Sequence, residues 1–422
     1  MSTGVRAGTH VIAADLESTA FNTQEADFDT EKLRFAAWDV SPGFKEAVIE
    51  NSAVRVDLGE HPPGVGLQHQ DSELGFTTYT QGLGTAAGDA VAATATAFSH
   101  LLAGCLGGSE ALSTGSTASG TPTAIEVIET DDGNHADDTL VGFAGASGAV
   151  YVRPVGTYTT DTTTGVMDLL MALPSGDLPT ASDVIYGGVN VQSAESSLQL
   201  IQGEVVGKNT AQTTDFLGAI GNFSIPEAGE GDAQTINFTF KPASFDRYQS
   251  TTQVAPAVAR PLVNAGGEFL LGKFGNTAGL SLRFLRIGIE LARTFVADPD
   301  ASADSGLCGW VLTDQQTRIT VHVPDAQSMP TGFTVTNFHD SFTSSDLTEN
   351  DYHLLCNWGG RTAGKIFSLY FPRMHLVMPP EQVDIDGIAA QKLTFGLTQG
   401  QYDSATGQDS TSGVAKIWAA QH

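Results

Sequence analysis

Basic residues are scarce in this chain. Twenty Lys and Arg stand against 48 Asp and Glu, a formal net charge of -28 at pH 7. Between Arg55 and Arg153 there is no Lys or Arg, while acidic residues continue throughout. A surface this negative repels nucleic-acid phosphates and anionic membranes, which excludes two large classes of binding protein. Cysteine is equally sparse: Cys105, Cys308 and Cys356 lie far apart with no CxxC spacing. Three thiols form no closed disulfide set, so a stapled secreted scaffold is excluded. Cys105 on an apolar helical face and Cys356 in a Leu-Leu-Cys run are expected to be buried thiols. No run of about 18 apolar residues is present, so no membrane span is expected. Met1 to Asp15 lacks a basic region followed by an apolar core, so no signal peptide is expected and synthesis belongs to a reducing cytoplasm.

Catalytic and metal-binding spacings are also missing. Asp131 to Asp138 does not fit the alternate-oxygen spacing of a calcium loop, the alternating Asp298, Asp300, Ser302 and Asp304 have Ala303 where the turn glycine belongs and no closing Glu, and both read as solvated acidic loops. Gly82 to Gly88 departs from the dinucleotide-binding spacing, and Gly145-Ala146-Ser147-Gly148 from a nucleophile elbow. The ten histidines include no HExxH. A carboxylate-based hydrolase is kept only because acidic residues are plentiful. The expectation is no enzyme, no cofactor and no metal.

What is abundant is the material of strands and turns. Gly numbers 47, hydrophobic residues make up 41% of the chain and charged residues only 16%, against about 25% in ordinary soluble proteins. Strands are predicted at Phe76–Thr80, Ile125–Ile128, Ala149–Val152 and Ser197–Val206. Phe223–Ile225 and Ile236–Phe240 alternate around a Gly-containing connection, a hairpin pattern. Leu280, Leu282 and Phe284 alternate, then Ile287, Ile289 and Leu291 on the shifted parity, which predicts a bulge or bend. Thr317–Val323 and Leu393–Leu397 alternate cleanly. A helix is predicted from Thr96 to Leu106, stopped by Gly107-Gly108, with a surface loop from Gly107 to Ala124. A second helix is predicted from Thr348, carrying Tyr352, Leu355 and Cys356 to Gly359-Gly360. The pairing of His100-Leu101-Leu102 with His353-Leu354-Leu355 hints at duplication.

The length suggests about two or three domains. Gln249 to Pro261, poor in large apolar groups, is the candidate linker between residues 1–248 and 262–422. Lys241, Arg247, Arg260, Lys273, Arg283, Arg286 and Arg293 form the densest basic stretch. They are either charges protecting solvated strand edges or a surface that meets the acidic part of another copy. Lys273, Arg283, Arg286 and Arg293 are the candidate subunit contacts.

Three segments together resemble the tail tube proteins of long-tailed, non-contractile bacteriophages. They are Leu83 to Gly88 leading into the helix Phe98–Leu106, then Leu217 to Ile225 with Ala228-Gly229-Glu230 and Ile236–Phe240. The third runs from Gly359-Gly360 through Gly364, Ile366–Phe371, Pro372 and Asp386-Gly387-Ile388 to Lys392–Leu397. The resemblance implies a mainly β fold with a few short helices, in tandem sandwich or barrel domains that assemble as stacked rings. The tube would be a conduit for DNA ejection with an acidic lumen, in a virion tail. A trimer with two tube domains per chain is favoured, from the two strand–helix–strand halves, with a hexamer as the alternative if each chain holds one. Partners would be further copies, terminator, distal tail and tape-measure proteins, and DNA in non-specific transit. The alternative is an acidic β-sandwich of a surface layer, capsid decoration or adhesin.

Overall fold

A computed structural model describes residues 10–17, 34–43, 47–49, 65–68, 73–83, 97–107, 109–111, 115–128, 139–159, 164–186, 189–191, 198–205, 211–229, 231–250, 262, 266–299, 307–397 and 417–422. The fold is mainly β and the described ladders are antiparallel. β1 (His10–Leu16) pairs with β2 (Arg34–Gly43), β3 (Ala47–Ile49) with β4 (Val65–Gln68), and β5 (Glu73–Tyr79) returns to β2. Next come α1 (Ala97–Leu106) and β6 (Ser109–Ala111).

A closed six-stranded barrel follows, built from β7 (Gly115–Gly120), β8 (Ala124–Ile128), β9 (Thr139–Ala144), β10 (Val150–Thr159), β11 (Thr164–Leu169) and β12 (Val184–Tyr186). β9, β10 and β11 form a meander and β8 lies beside β11, a Greek-key order. Closure through β12 leaves this barrel no free edge. Its interior holds Ile125, Val127, Val141, Phe143, Val155 and Met167.

The chain then rejoins the large sheet through β13 (Val189–Val191), β14 (Leu198–Val205), β15 (Ala211–Ala228), β16 (Thr235–Lys241) and β17 (Ser244–Ser250). It continues with β18 (Glu268–Lys273), β19 (Leu280–Ser281), β20 (Arg286–Pro299) and β21 (Leu307–Pro324). After α2 (Phe338–Thr343) and a 3-10 turn at Leu347–Asn350 come β22 (Tyr352–Trp358), β23 (Phe367–Leu376), β24 (Glu381–Ile385), β25 (Ile388–Leu397) and β26 (Trp418–Gln421).

Where alternation was strong, strands form as expected. β5 and β16 bury Leu74, Phe76, Ile236, Phe238 and Phe240 on one face and pair in register, and β15 with β16 completes the expected hairpin. α1 matches the expected helix but is buried on every side, including Ser99, His100 and Ala103. Its buried histidine is satisfied at Nδ1, 3.3 Å from the Ala14 carbonyl and 3.1 Å from the Asp15 carboxylate. Gly107 ends it at φ +126°, a conformation glycine tolerates, with its amide on Ala103. Cys105 and Cys356 are buried as expected, while Cys308 is exposed.

Three expectations are corrected. Residues 107–124 are not one surface loop, since β6 and β7 lie within them. Small residues suit β7 because a Cβ on Gly120 would stand 2.9 Å from the Ile125 side chain. The predicted helix from Thr348 is a 3-10 turn followed by β22, so the hinted duplication pairs a helix with a strand and fails. β22 lacks alternation because both its faces are buried: Tyr352, Leu354, Cys356 and Trp358 enter one cluster and Leu355 another. The parity change after Phe284 is the expected bend, at Leu285, but between two strands and not a bulge within one. β19 ends at Ser281 on β18, and β20 starts at Arg286 on β21 and β15.

Gln249 and Ser250, placed in the expected linker, belong to β17, and 251–261 lie outside the described residues. No break in the core marks this boundary. β15 pairs with β20 and β13 with β26, so strands before and after it share ladders. The Leu262 amide bonds the Thr80 carbonyl, and the Gln234 amide bonds the Leu262 carbonyl. Phe98 of α1 meets Phe238 and Phe367 edge-on, with ring centroids 6.1 and 5.5 Å away. Phe98→Ala is expected to cost about 3–5 kcal/mol in one cooperative transition of the sheet core. Denaturant unfolding followed by circular dichroism and tryptophan fluorescence checks this. Coincident midpoints shifting together are the expected result.

Candidate functional site

The four candidate contact residues do not converge. Lys273 at the end of β18 sets Nζ 2.8 Å from Glu349 Oε1 and 3.1 Å from the Gly332 carbonyl, with the Phe333 ring 5.0 Å away. Burial raises the Glu349 pKa, yet Lys273 and the Thr334 and Val335 amides overcome it and hold the carboxyl below its usual range. Arg293 on β20 donates from Nη1 to the Cys105 carbonyl at 2.6 Å, serving the C-terminal turn of α1, and from Nε to Gln315. Arg283 is exposed, and Arg286 is 44% exposed with Asp386 at 3.7 Å. Lys273 and Arg293 are thus internal fasteners, and the other two lie at the surface. Lys241 ends β16, Arg247 lies in β17, and Arg260 is outside the described residues.

β20 and β21 form the longest hairpin arm. Ladder pairing of β20 with β15 ends at Glu290, and that of β21 with β25 ends at Arg318. Beyond these points Thr294–Asp298 runs opposite Gly309–Asp314 as a two-stranded ribbon. Its inner side is anchored where Asn222 exchanges two side-chain hydrogen bonds with the Arg293 backbone and Trp310 Nε1 donates to the Gly218 carbonyl at 2.8 Å. Its outer side is open. Val296 and Val311 face each other across the ribbon at 52% and 50% exposure. Glu290, Asp298 and Asp314 are exposed along the arm, with Arg318.

A second constellation joins the barrel to the sheet. Arg153 is the only Lys or Arg between Arg55 and Lys208, and it is 1% exposed. Its guanidinium grips Glu268 of β18 through Nη1–Oε2 at 2.7 Å and Nη2–Oε1 at 3.0 Å, a bidentate geometry. Nη1 also donates to the Val152 carbonyl and Nε to the Ala172 carbonyl. Arg361 stands 3.8 Å from the same carboxylate and 4.8 Å over the Tyr151 ring. Tyr151 donates to Asp177 at 2.8 Å. The Ser147 hydroxyl and amide, then Tyr151, hold the Asp177 carboxyl below its usual range. Burial, then the bond to Asp177, pushes the Tyr151 phenol up. Two cations and two anions therefore cancel at the junction. The isolation of Arg153 in the sequence was the available signal for this site.

Beside the junction lies a cavity of about 260 Å³ between the end of β11, the β18–β19 turn, His353 of β22 and Tyr370 of β23. His353 is 3% exposed and its Nδ1 is 3.0 Å from the Tyr370 hydroxyl. Nε2 makes no hydrogen bond of ordinary geometry and lies over Gly272, where a Cβ would stand 2.0 Å from it. Burial lowers the His353 pKa to about 4, against a weaker opposite pull from the Asn276 backbone.

Among the described residues no group of three or more His, Cys, Asp and Glu is placed to hold a metal ion. Asp131–Asp138 lie outside the described residues, as do Asp300, Ser302 and Asp304, while Asp298 is exposed on β20. Gly145 to Gly148 closes the β9–β10 hairpin, with the Gly148 amide on the Gly145 carbonyl and Ser147 held by Asp177. Gly82 packs where a Cβ would stand 2.7 Å from the Gly364 carbonyl, and residues 84–96 lie outside the described residues. No helix among the described residues is long and apolar enough to cross a membrane.

Two outcomes are expected at the junction. Arg153→Met strands the Glu268 carboxylate in the interior and costs about 3–5 kcal/mol. Adding Glu268→Leu recovers much of the loss, as a double-mutant cycle in urea would read. The second concerns pH. Between about 6.5 and 4 the unfolded chain binds the His353 proton and the folded chain does not. Stability therefore falls as pH drops through that window, by about 3 kcal/mol from this group. His353→Gln should flatten that part of a stability–pH curve.

No protein-family model matches this chain, and no curated protein matches it.

Proposed function

We propose that the chain is a structural subunit of a tail tube of the long-tailed, non-contractile phage type, stacking as rings around a conduit for DNA. The observation that carries this reading is the open ribbon of β20 and β21. A two-stranded ribbon is marginal by itself, and exposed strand edges are templates for pairing with another chain. In a tube of this type, strands of neighbouring copies close an inner barrel, which would remove those edges and cover Val296 and Val311. Contacts of this kind are heterologous, closed around the ring and open along its axis.

Charge supports the same reading. The exposed acids of the arm, Glu290, Asp298 and Asp314, outnumber its exposed base, Arg318. A wall of that sign repels phosphate, so a polyanion passes without being held. The continuity of ladders across 249–261 favours one tube unit per chain, hence six chains per ring over three. The barrel of β7 to β12 is then an attached unit outside the tube layer. Terminator, distal tail and tape-measure proteins would be the further partners, and a virion tail the location.

Negative-stain microscopy of the purified chain tests the proposal. Hollow rings or tubes are expected. Val296→Lys with Val311→Lys should abolish them while leaving circular dichroism and thermal unfolding of the subunit nearly unchanged, since both side chains are half exposed. Monodisperse monomers of the unmodified chain at high concentration, after prolonged incubation, would sink the proposal in favour of an acidic binding module.

A further inference from the structure

We propose that the free edge of β24 receives an extended, basic segment of a partner protein as an added strand. This is independent of the tube reading, because β24 lies beside the end of β21 remote from the open arm. Among the described ladders β24 pairs with β25 alone, from Glu381↔Lys392 to Ile385↔Ile388. Asp386 and Gly387 join the two strands at φ +53° and +82°, a two-residue turn of type I′. The pair flanking such a turn exchanges its backbone hydrogen bonds, and bonded and non-bonded pairs alternate from there. Glu381 and Val383 therefore bond β25, while the backbone amides and carbonyls of Gln382 and Asp384 point outward. Both residues are exposed. A row of such groups is completed by a further strand.

The surroundings of this edge are apolar as well. Val377 at 40%, Met378 at 49% and Ile388 at 43% are exposed around the β24–β25 hairpin. Leu347, 81% exposed, stands on the neighbouring 3-10 turn, whose Asn350 side chain exchanges two hydrogen bonds with the Leu376 backbone. Four exposed aliphatic side chains beside one open edge are what a docked strand would cover.

Charge selects the occupant. Asp346, Glu381, Asp384 and Asp386 are exposed around the edge. Their counter-charges are Lys392, opposite Glu381, and Arg286, 3.7 Å from Asp386. Asp325 and Arg283, on the adjoining segments, add one charge of each sign. The balance is negative in a chain of net charge -28, so a second copy is repelled here and a basic segment is attracted. A strand with aliphatic residues between its lysines satisfies the backbone, the apolar flanks and the acids together.

The test uses the full chain and calorimetry with three peptides titrated singly. The first is acetyl-Lys-Val-Lys-Ile-Lys-Val-amide, the second has Glu for each Lys, and the third is the basic peptide N-methylated at alternate residues. The basic peptide should bind saturably with a Kd of order 0.1 mM. Raising salt from about 50 mM to about 0.5 M should weaken it several-fold, since exposed charges are screened. The other two peptides should not bind. Gln382→Pro removes an outward amide and no ladder bond, and should abolish binding. Met378→Ser should weaken binding about five-fold through lost apolar contact. Both positions are exposed, so thermal unfolding of either variant should match the unmodified chain. No saturable binding of the basic peptide overturns the proposal. So does equal binding of the acidic or N-methylated peptide, or binding that survives Gln382→Pro. Self-association of the unmodified chain that Gln382→Pro removes would assign the edge to a second copy instead and overturn it too.

Discussion

The sheet formed by β18, β22, β23 and β26 has to be buried on both faces, and the rest of the molecule follows from that constraint. On one side Phe269, Leu271, Trp358, Phe367 and Leu369 enter the large core with α1 and the aromatic cluster of β5 and β16. On the other side Leu270, Leu355, Tyr370 and Trp418 meet Leu140, Val150 and Val152 of the barrel. A sheet with two apolar faces needs a layer on each, and here the second layer is a closed barrel. The barrel thus has an interior of its own while its outer wall completes the burial of the sheet.

Polar groups at this junction make the docking specific. Apolar contact alone is non-directional. The bidentate Arg153–Glu268 pair is directional, and Arg361, Tyr151 and Asp177 extend it toward the surface with balanced charge. Placing one of only 20 basic residues in the interior together with a buried acid leaves the net charge of the surface unchanged. The same placement ties the barrel in one orientation, which fixes the walls of the neighbouring cavity. The open arm of β20 and β21 is the opposite case, a place where the chain leaves strands and two valines without cover of its own.

Legibility followed burial pattern. β5 and β16 bury one face, and in β21 and β25 the large apolar residues Ile319, Val321, Val323, Leu393 and Phe395 alternate with polar or small ones, so these strands could be read directly. α1 was readable from Phe98, Leu101, Leu102 and Cys105, though not its burial on all sides. β22 was misread because a strand covered on both faces has no period of two, and its Leu-Leu-Cys run fits a helix equally well. β7 was missed because its Gly, Ser and Thr residues carry no apolar signal; the hydrogen bond from the buried Thr117 hydroxyl to the Thr180 carbonyl is a tertiary fact. The basic stretch around Arg283 was visible as a cluster, yet sequence proximity could not tell that Lys273 turns to Glu349 and Arg293 to α1.

The sequence by itself determined the β-rich class, the acidic net charge, the apolar helix α1 and the buried thiols at Cys105 and Cys356, because these depend on composition and local period. Tertiary structure alone decided that strands on both sides of 249–261 share a core, that Arg153 pairs with Glu268 across 115 positions, and that His353 faces a cavity. The physical reason is range. Local propensity acts over a few residues, whereas ladder partners, ion pairs and cavity walls are chosen by which distant surfaces remain to be buried.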